Sequence, residues 1–179
     1  MKSFILYIPL LSIILILSLV GLIVIKSINN VQNNKILNSA LIGKPFPYTN
    51  LKSLQDDKEF NFNLDTKEPF LINFFSSWCV PCQYEVKSLE LLSKKIKIYG
   101  IAYKDKKQDT IDFLQTFGNP YYSIGIDNNG LSAIDWGVYG VPETFLINSQ
   151  GNIVLRHAGP ITKSIAEEIF QTEILKLKL

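Results

Sequence analysis

The sequence predicts an α/β domain, a mixed sheet with helices on both faces, set behind a membrane-spanning N-terminal helix. Three observations carry this reading. Phe4 to Ile25 is a run of 22 residues without a charge. From Pro69 onward, short apolar runs rich in strand formers alternate with longer stretches of helical periodicity. The alternation then gives way to a hairpin signal and one last helical stretch, an order that suits a mixed sheet.

As a helix rising about 1.5 Å per residue, Phe4–Ile25 reaches roughly 33 Å, enough for a hydrocarbon core of about 30 Å. Lys2 and Lys26 bracket it, Pro9 lies near its start, and Gly21 is tolerable in a membrane helix. A cleaved signal peptide would have a shorter apolar region ending in small residues. Here Lys26-Ser27-Ile28-Asn29-Asn30 follows, with no A-x-A pattern. A buried core helix would show a polar face, and none is present. Residues 1–26 are therefore expected to be an uncleaved anchor, with the N-terminal amine and Lys2 favouring the N-terminus inside over Lys26 by a narrow margin. The Asn-rich residues 27–40 read as a linker and 41–179 as the globular domain.

Within that domain, Ile42-Gly43-Lys44-Pro45-Phe46-Pro47 punctuates the start, and the polar stretch Asn50–Asp65 is expected to hold a small extra β-hairpin. Phe70–Phe75 reads as a strand buried on both faces. Pro81–Lys95 reads as a helix with proline in its first turn, Val86, Leu89 and Leu92 on its apolar side, and Glu85, Lys87 and Lys94 among its polar positions. Ile96–Tyr103 is a strand, Asp109–Phe117 a helix stopped by Gly118-Asn119-Pro120, and Tyr121–Ile126 a strand. Thr144–Asn148 and Asn152–His157 form a hairpin across Ser149-Gln150-Gly151. A helix from about Thr162 to Lys176 closes the chain, with Ser164-Ile165-Ala166-Glu167 fitting a capping box.

Composition narrows the function classes. The 179 residues carry 18 Lys and Arg against 16 Asp and Glu, a net charge of +2 that gives no reason to expect a nucleic-acid partner. One histidine and two cysteines cannot fill a closed four-ligand zinc site or build a multi-bridge secreted scaffold.

Both cysteines lie in Trp78-Cys79-Val80-Pro81-Cys82, between an expected buried strand and an expected helix start. A C-x-x-C in that context reads as a redox pair. Unsatisfied N–H groups and the dipole at a helix N-terminus stabilise a thiolate, which is the attacking species. Cys79, ahead of the first turn, is expected to be the exposed attacker, and Cys82 the shielded resolving thiol. Pro81 donates no N–H and fixes the turn. Haem attachment would need C-x-x-C-H, and Gln83 follows Cys82. An inert disulfide remains open, although so short a loop constrains the unfolded chain little. In Gly137–Ile147, Pro142 directly precedes a strand, a place also open to an ordinary trans proline in a turn.

Taken together, the chain resembles the thioredoxin superfamily, and within it the membrane-anchored thiol:disulfide interchange proteins of cytochrome c maturation (the DsbE/CcmG type). The resemblance rests on Trp78–Cys82 with Glu85, on Tyr103-Lys104-Asp105, on Gly118-Asn119-Pro120-Tyr121, and above all on Asp135–Phe145. It runs from about Leu41 to the C-terminal helix. It implies a thioredoxin-like sheet, a cis Pro142 opposite Cys79, and a Val141 backbone free to pair with an extended peptide. It also implies that Glu85 and Glu143 line or border the groove, where a carboxylate would raise the Cys79 pKa and favour a reductant. A solvated Glu143 remains open. The chain departs from its relatives at Asn73, where thioredoxins carry a titratable aspartate, and at Gln83 and Lys87. With Asn73 unable to titrate, Glu85 is the first candidate to take the Cys82 proton.

The resemblance thus implies a disulfide reductase on the outer, periplasmic face of the cytoplasmic membrane. It would act on apocytochrome c or haem-ligation components, be recharged by a membrane thiol electron donor, and need no metal or organic cofactor. A tethered reductase with other clients and a non-catalytic docking module are the alternatives. The sole histidine, His157, is expected to be solvated or packed, and Lys104-Asp105-Lys106-Lys107 to be a solvated loop.

Overall fold

The computed structural model describes residues 8–33, 40–48, 50–62 and 68–177, with side chains in the first segment described for 11–26. The chain divides into two compact units, Met1–Lys35 and Ile36–Leu179. In the first, helix α1 (Ile8–Asn33) exposes its large apolar side chains from Leu11 to Ile25. Among the described residues no helix is long and apolar enough to cross a membrane. The expected anchor over 1–26 falls partly on residues outside the described set.

Among its described residues the second unit holds one six-stranded sheet. Its strands are β1 (Lys52–Ser53), β2 (Phe70–Phe75), β3 (Lys97–Tyr103), β4 (Ser123–Asp127), β5 (Glu143–Ile147) and β6 (Ile153–Ala158), in the spatial order β1-β4-β3-β2-β5-β6. The pairs β2–β3 and β3–β4 are parallel, and the other three are antiparallel. Parallel neighbours need crossovers, which α2 (Val80–Ser93) and α3 (Lys107–Phe117) supply. All six residues of central β2 are buried, as a strand apolar at every position but Asn73 and covered on both faces should be.

Strand alternation sorts the core into two layers. Leu71, Phe75, Ile98 and Leu146 face α2 through Val86, Leu89 and Leu92, α3 through Phe113, and the C-terminal helix through Phe170 and Ile174. Phe70, Ile72, Phe74, Phe145 and Ile147 face the other way. That second face is covered by short helix α4 (Leu131–Asp135) with Trp136, and by loop aromatics such as Phe46 and Phe60. Gly100 has no room for a side chain, since a Cβ there would come within 3.0 Å of Phe75 and Tyr121, whose rings stack at 4.6 Å.

The differences from expectation are local. Helix α4 was not foreseen. The C-terminal helix, α5, runs Lys163–Ile165, then a π-helical turn Ala166–Phe170, then Gln171–Leu177. Its cap is Thr162, whose hydroxyl accepts from the Ile165 N–H at 3.3 Å, rather than Ser164. Of the hairpin expected over Asn50–Asp65, the described part is β1 folding back to a single bridge, Lys52 to Glu59. Residues 63–65 lie outside the described set. His157 is fully buried against the Phe170 ring on β6, so it is packed and not solvated.

Candidate active site

Strand β2 delivers the chain to the redox pair through Ser76, Ser77 and Trp78. The loop after β3 pins that approach. Asp105 accepts from the Ser77 N–H and Ser77 hydroxyl, both at 2.7 Å, from the Lys106 N–H at 3.0 Å and from the Thr110 hydroxyl at 3.1 Å. The Ser76 hydroxyl donates to the Tyr103 carbonyl, and the Trp78 indole donates to the Lys104 carbonyl at 3.3 Å. Lys104 takes a left-handed φ of 47°, and its N–H donates to the Asp127 carbonyl. The Lys104–Lys107 segment is thus no mere solvated loop. Its lysines point outward, but Asp105 is buried and acts as a bracket for the residues before Cys79.

Cys79 caps α2 in extended conformation, and its Sγ accepts from the Cys82 N–H at 3.2 Å. The two cysteines are joined in a disulfide. Once the bond is reduced, the same N–H and the helix dipole stabilise a thiolate on Cys79. Pro81 sits in the first turn, as expected. Exposure does not separate the two sulfurs, because Cys79 is 4% and Cys82 1% exposed. This corrects the expectation of an exposed Cys79. Its distinction in the oxidised protein is the capping position. Val141–Pro142 is cis, and the Val141 carbonyl oxygen lies 3.5 Å from Cys79 Sγ. Trp78, Val80, Tyr84 and Tyr139 are among the exposed large side chains of the flanking segments, and Lys104 next to Trp78 is exposed too.

Glu85, expected among the polar positions of α2, is buried. One carboxyl oxygen accepts from Asn73 Nδ2 at 3.0 Å and the other from the Ile161 N–H at 2.9 Å. Asn73 also donates to the Thr144 hydroxyl at 2.9 Å and accepts from the Tyr121 hydroxyl at 2.7 Å. Burial pushes the Glu85 pKa up to about 8, against the pull of its two hydrogen bonds. Burial, and then the Glu85 charge, hold Tyr121 well above the usual phenol range.

Glu143 is also buried, but it takes part in a different structure. Register pairs Asn73 with Thr144 and Phe74 with Glu143, so Asn73 and Glu143 project from opposite faces of the sheet. Glu143 accepts from Arg156 Nε through one oxygen and from the Tyr139 N–H at 3.2 Å through the other. Burial raises its pKa, while the Arg156 hydrogen bond and charge oppose the rise. Glu143 is therefore not a solvated strand residue. Sequence reasoning missed Arg156, Asp105 and Thr144 as parts of this site. A lone arginine within the apolar run Ile153–Ala158 was the signal available for the first.

A C-x-x-C disulfide at a helix N-terminus, faced by a cis-proline loop on a mixed α/β sheet, defines a thioredoxin-fold thiol–disulfide oxidoreductase. Comparison with known proteins agrees. The Redoxin profile matches residues 41–172, and the chain belongs to that family. It is 39% identical over 176 residues to the thiol:disulfide interchange protein DsbE of Pasteurella multocida (strain Pm70), covering 96% of each chain. It is 42% identical over 136 residues to DsbE of Escherichia coli (strain K12), covering 74% of this chain and 73% of that one. Among solved structures, a secreted thiol-disulfide isomerase from Corynebacterium glutamicum shares the fold with a TM-score of 0.62 at 18% identity, over 72% of this chain and 84% of that one.

Proposed function

We propose that this chain is a membrane-tethered reductant that keeps the haem-binding cysteines of apocytochrome c, or of a haem-ligation partner carrying it, in the dithiol state. The observation that carries the reading is the placement of Cys79 Sγ at the N-terminus of α2, 3.5 Å from the Val141 carbonyl. An extended client segment pairing with the Val141 backbone would bring its disulfide to that sulfur. Trp78, Val141 and Pro142 form the docking rim, and Pro81 sets the turn between the thiols.

The exchange balances as two displacements. The Cys79 thiolate attacks one client sulfur, the client S–S bond breaks, and the departing client thiolate takes a proton. Cys82 gives up its proton, and its thiolate attacks Cys79 Sγ. The Cys79–client bond breaks, and the second client thiolate takes a proton. The client has gained two electrons and two protons, and the enzyme disulfide has formed. Glu85 lies one turn beyond Cys82 on α2, with Asn73 holding one of its oxygens, and its ionised form is the carboxylate suited to accept the Cys82 proton. A membrane thiol donor restores the dithiol. Residues 1–26 serve as a single-pass anchor in the cytoplasmic membrane, 27–40 as tether, and 41–179 as the domain on the periplasmic side.

Trapping with Cys82→Ser tests the reading. The variant stalls at the mixed disulfide, and mass spectrometry of membrane-bound adducts should recover apocytochrome c or a haem-ligation component. Adducts confined to other clients would favour a reductase of different purpose. A Cys79→Ser/Cys82→Ser variant that still supports c-type cytochromes would favour a docking module.

A further inference from the structure

Arg156 is the only arginine in the chain, and it is buried on β6. A buried guanidinium is costly unless its charge and its donors are met. Contacts described for it fall on both sides of Pro142, and its guanidinium also lies 5.5 Å from the centre of the Phe145 ring. Nε donates to the Glu143 carboxylate and Nη2 to the Gly137 carbonyl, and the guanidinium lies 5.0 Å from the centre of the Tyr139 ring. The second Glu143 oxygen accepts from the Tyr139 N–H at 3.2 Å, so the ion pair grips Gly137 and Tyr139 through their backbones. Two residues beyond Tyr139 stands Val141, whose carbonyl meets Cys79 Sγ. Tyr139 itself is 86% exposed, so the guanidinium backs a ring whose surface faces solvent.

We propose that Arg156 is a positioning residue for client binding: from the sheet face opposite Glu85 it fixes the Gly137–Val141 segment, holding the Val141 backbone at Cys79 and the Tyr139 ring as a flat platform for an apolar residue of the client. This rests on the reading that the client lies along Val141. Arg156 acts through Glu143, Gly137 and Tyr139 and does not touch the sulfurs. Lysine cannot replace it fully, because one ammonium lacks the planar fork that reaches Glu143 and Gly137 together beneath a ring.

The test is single-turnover reduction by the full-length, pre-reduced protein in detergent. Three oxidants are used: an oxidised Cys-x-x-Cys-His peptide, insulin and oxidised glutathione. Wild type is compared with Arg156→Lys, Arg156→Met and Glu143→Gln/Arg156→Met. Arg156→Met should raise the half-saturating peptide concentration about tenfold, and Arg156→Lys several-fold, with a clearly smaller loss of rate on glutathione, which is too small to span the platform. The double variant removes both buried charges and should regain stability without regaining peptide affinity. Arg156→Lys keeps the test alive should the methionine variant not fold. Peptide affinity equal to wild type in Arg156→Lys, recovery of affinity together with stability in the double variant, or equal losses on all three oxidants would overturn the proposal. Wild type that reduces insulin but not the peptide refutes the cytochrome reading alone, and the Arg156 effect is then read on insulin.

Discussion

Asn73 Nδ2 donates to Glu85 Oε1 at 3.0 Å, so strand and helix have divided a task between them. The strand supplies a group that cannot ionise, and the helix supplies the titratable one. Burial keeps this carboxyl mostly protonated near neutral pH, so it would take the proton of the resolving thiol only in its ionised form, and more readily as pH rises toward about 8.

Stability should report that stored proton. The folded pKa of Glu85 is about 8, above its ordinary value of 4.5. Its contribution to stability is therefore fully present below about pH 4.5 and is lost as pH rises through about 8. Wild type should lose on the order of 2 kcal/mol relative to Glu85→Gln between pH 6 and pH 9, since each pH unit inside that window weighs about 1.4 kcal/mol. Urea denaturation at the two pH values measures it. A constant gap between the two proteins would mean that Glu85 titrates normally.

The thiols should differ in reactivity once reduced. Cys79 Sγ accepts from the Cys82 N–H at the start of α2, whereas Cys82 lies within the first turn. Iodoacetamide should label Cys79 at least about tenfold faster near pH 7, because thiolate fraction sets the rate. Peptide mapping after brief alkylation reads the ratio. Equal labelling would remove the assignment of attacker and resolver.

Breaking the Glu143–Arg156 pair should cost more than removing it. Glu143→Gln leaves a buried guanidinium without its carboxylate and should destabilise by about 3 kcal/mol or more, whereas the double neutral variant should lose much less. The same single change should lower the Cys79 pKa, since a negative charge is removed and a positive one is left uncompensated. Thiolate absorbance gives the second result. An unchanged or higher Cys79 pKa would show that this pair does not reach the sulfurs.

Asp105→Asn should loosen the approach to Cys79. The amide keeps one acceptor oxygen but turns an NH2 toward donors that now share a carboxylate, at a cost of about 1–3 kcal/mol. Trp78 is held to the Lys104 carbonyl next door. Acrylamide quenching of tryptophan fluorescence should therefore rise in the folded variant, while the buried Trp136 stays protected. Quenching equal to wild type would mean that the bracket does not restrain Trp78.

Much of this was legible in one dimension because it depends on local pattern. The largely apolar run Phe70–Phe75 announced a doubly buried strand, and the C-x-x-C between it and a periodic stretch announced the redox pair at a helix start. Helix α4 escaped because five residues are too few for a period, and its pattern is inverted. Leu131 and Ile134 face solvent while Ser132 and Ala133 are buried. Glu85 was placed among polar positions because charge normally marks an exposed face. Its partners, Asn73 and the Ile161 N–H, lie 12 and 76 residues away. The Arg156–Glu143 pair closes across two strands at a separation of 13 residues, a match that exists only after the hairpin has formed.

The sheet that separates Glu85 from Arg156 puts the buried carboxyl and the buried ion pair on opposite faces. On the proposals above, changes at Glu85 alter proton release, while changes at the Glu143–Arg156 pair alter client binding and, through the charge on Glu143, the Cys79 pKa. Variants of the two residues share no partner described for either, so their free-energy effects should add when combined, within about 0.5 kcal/mol.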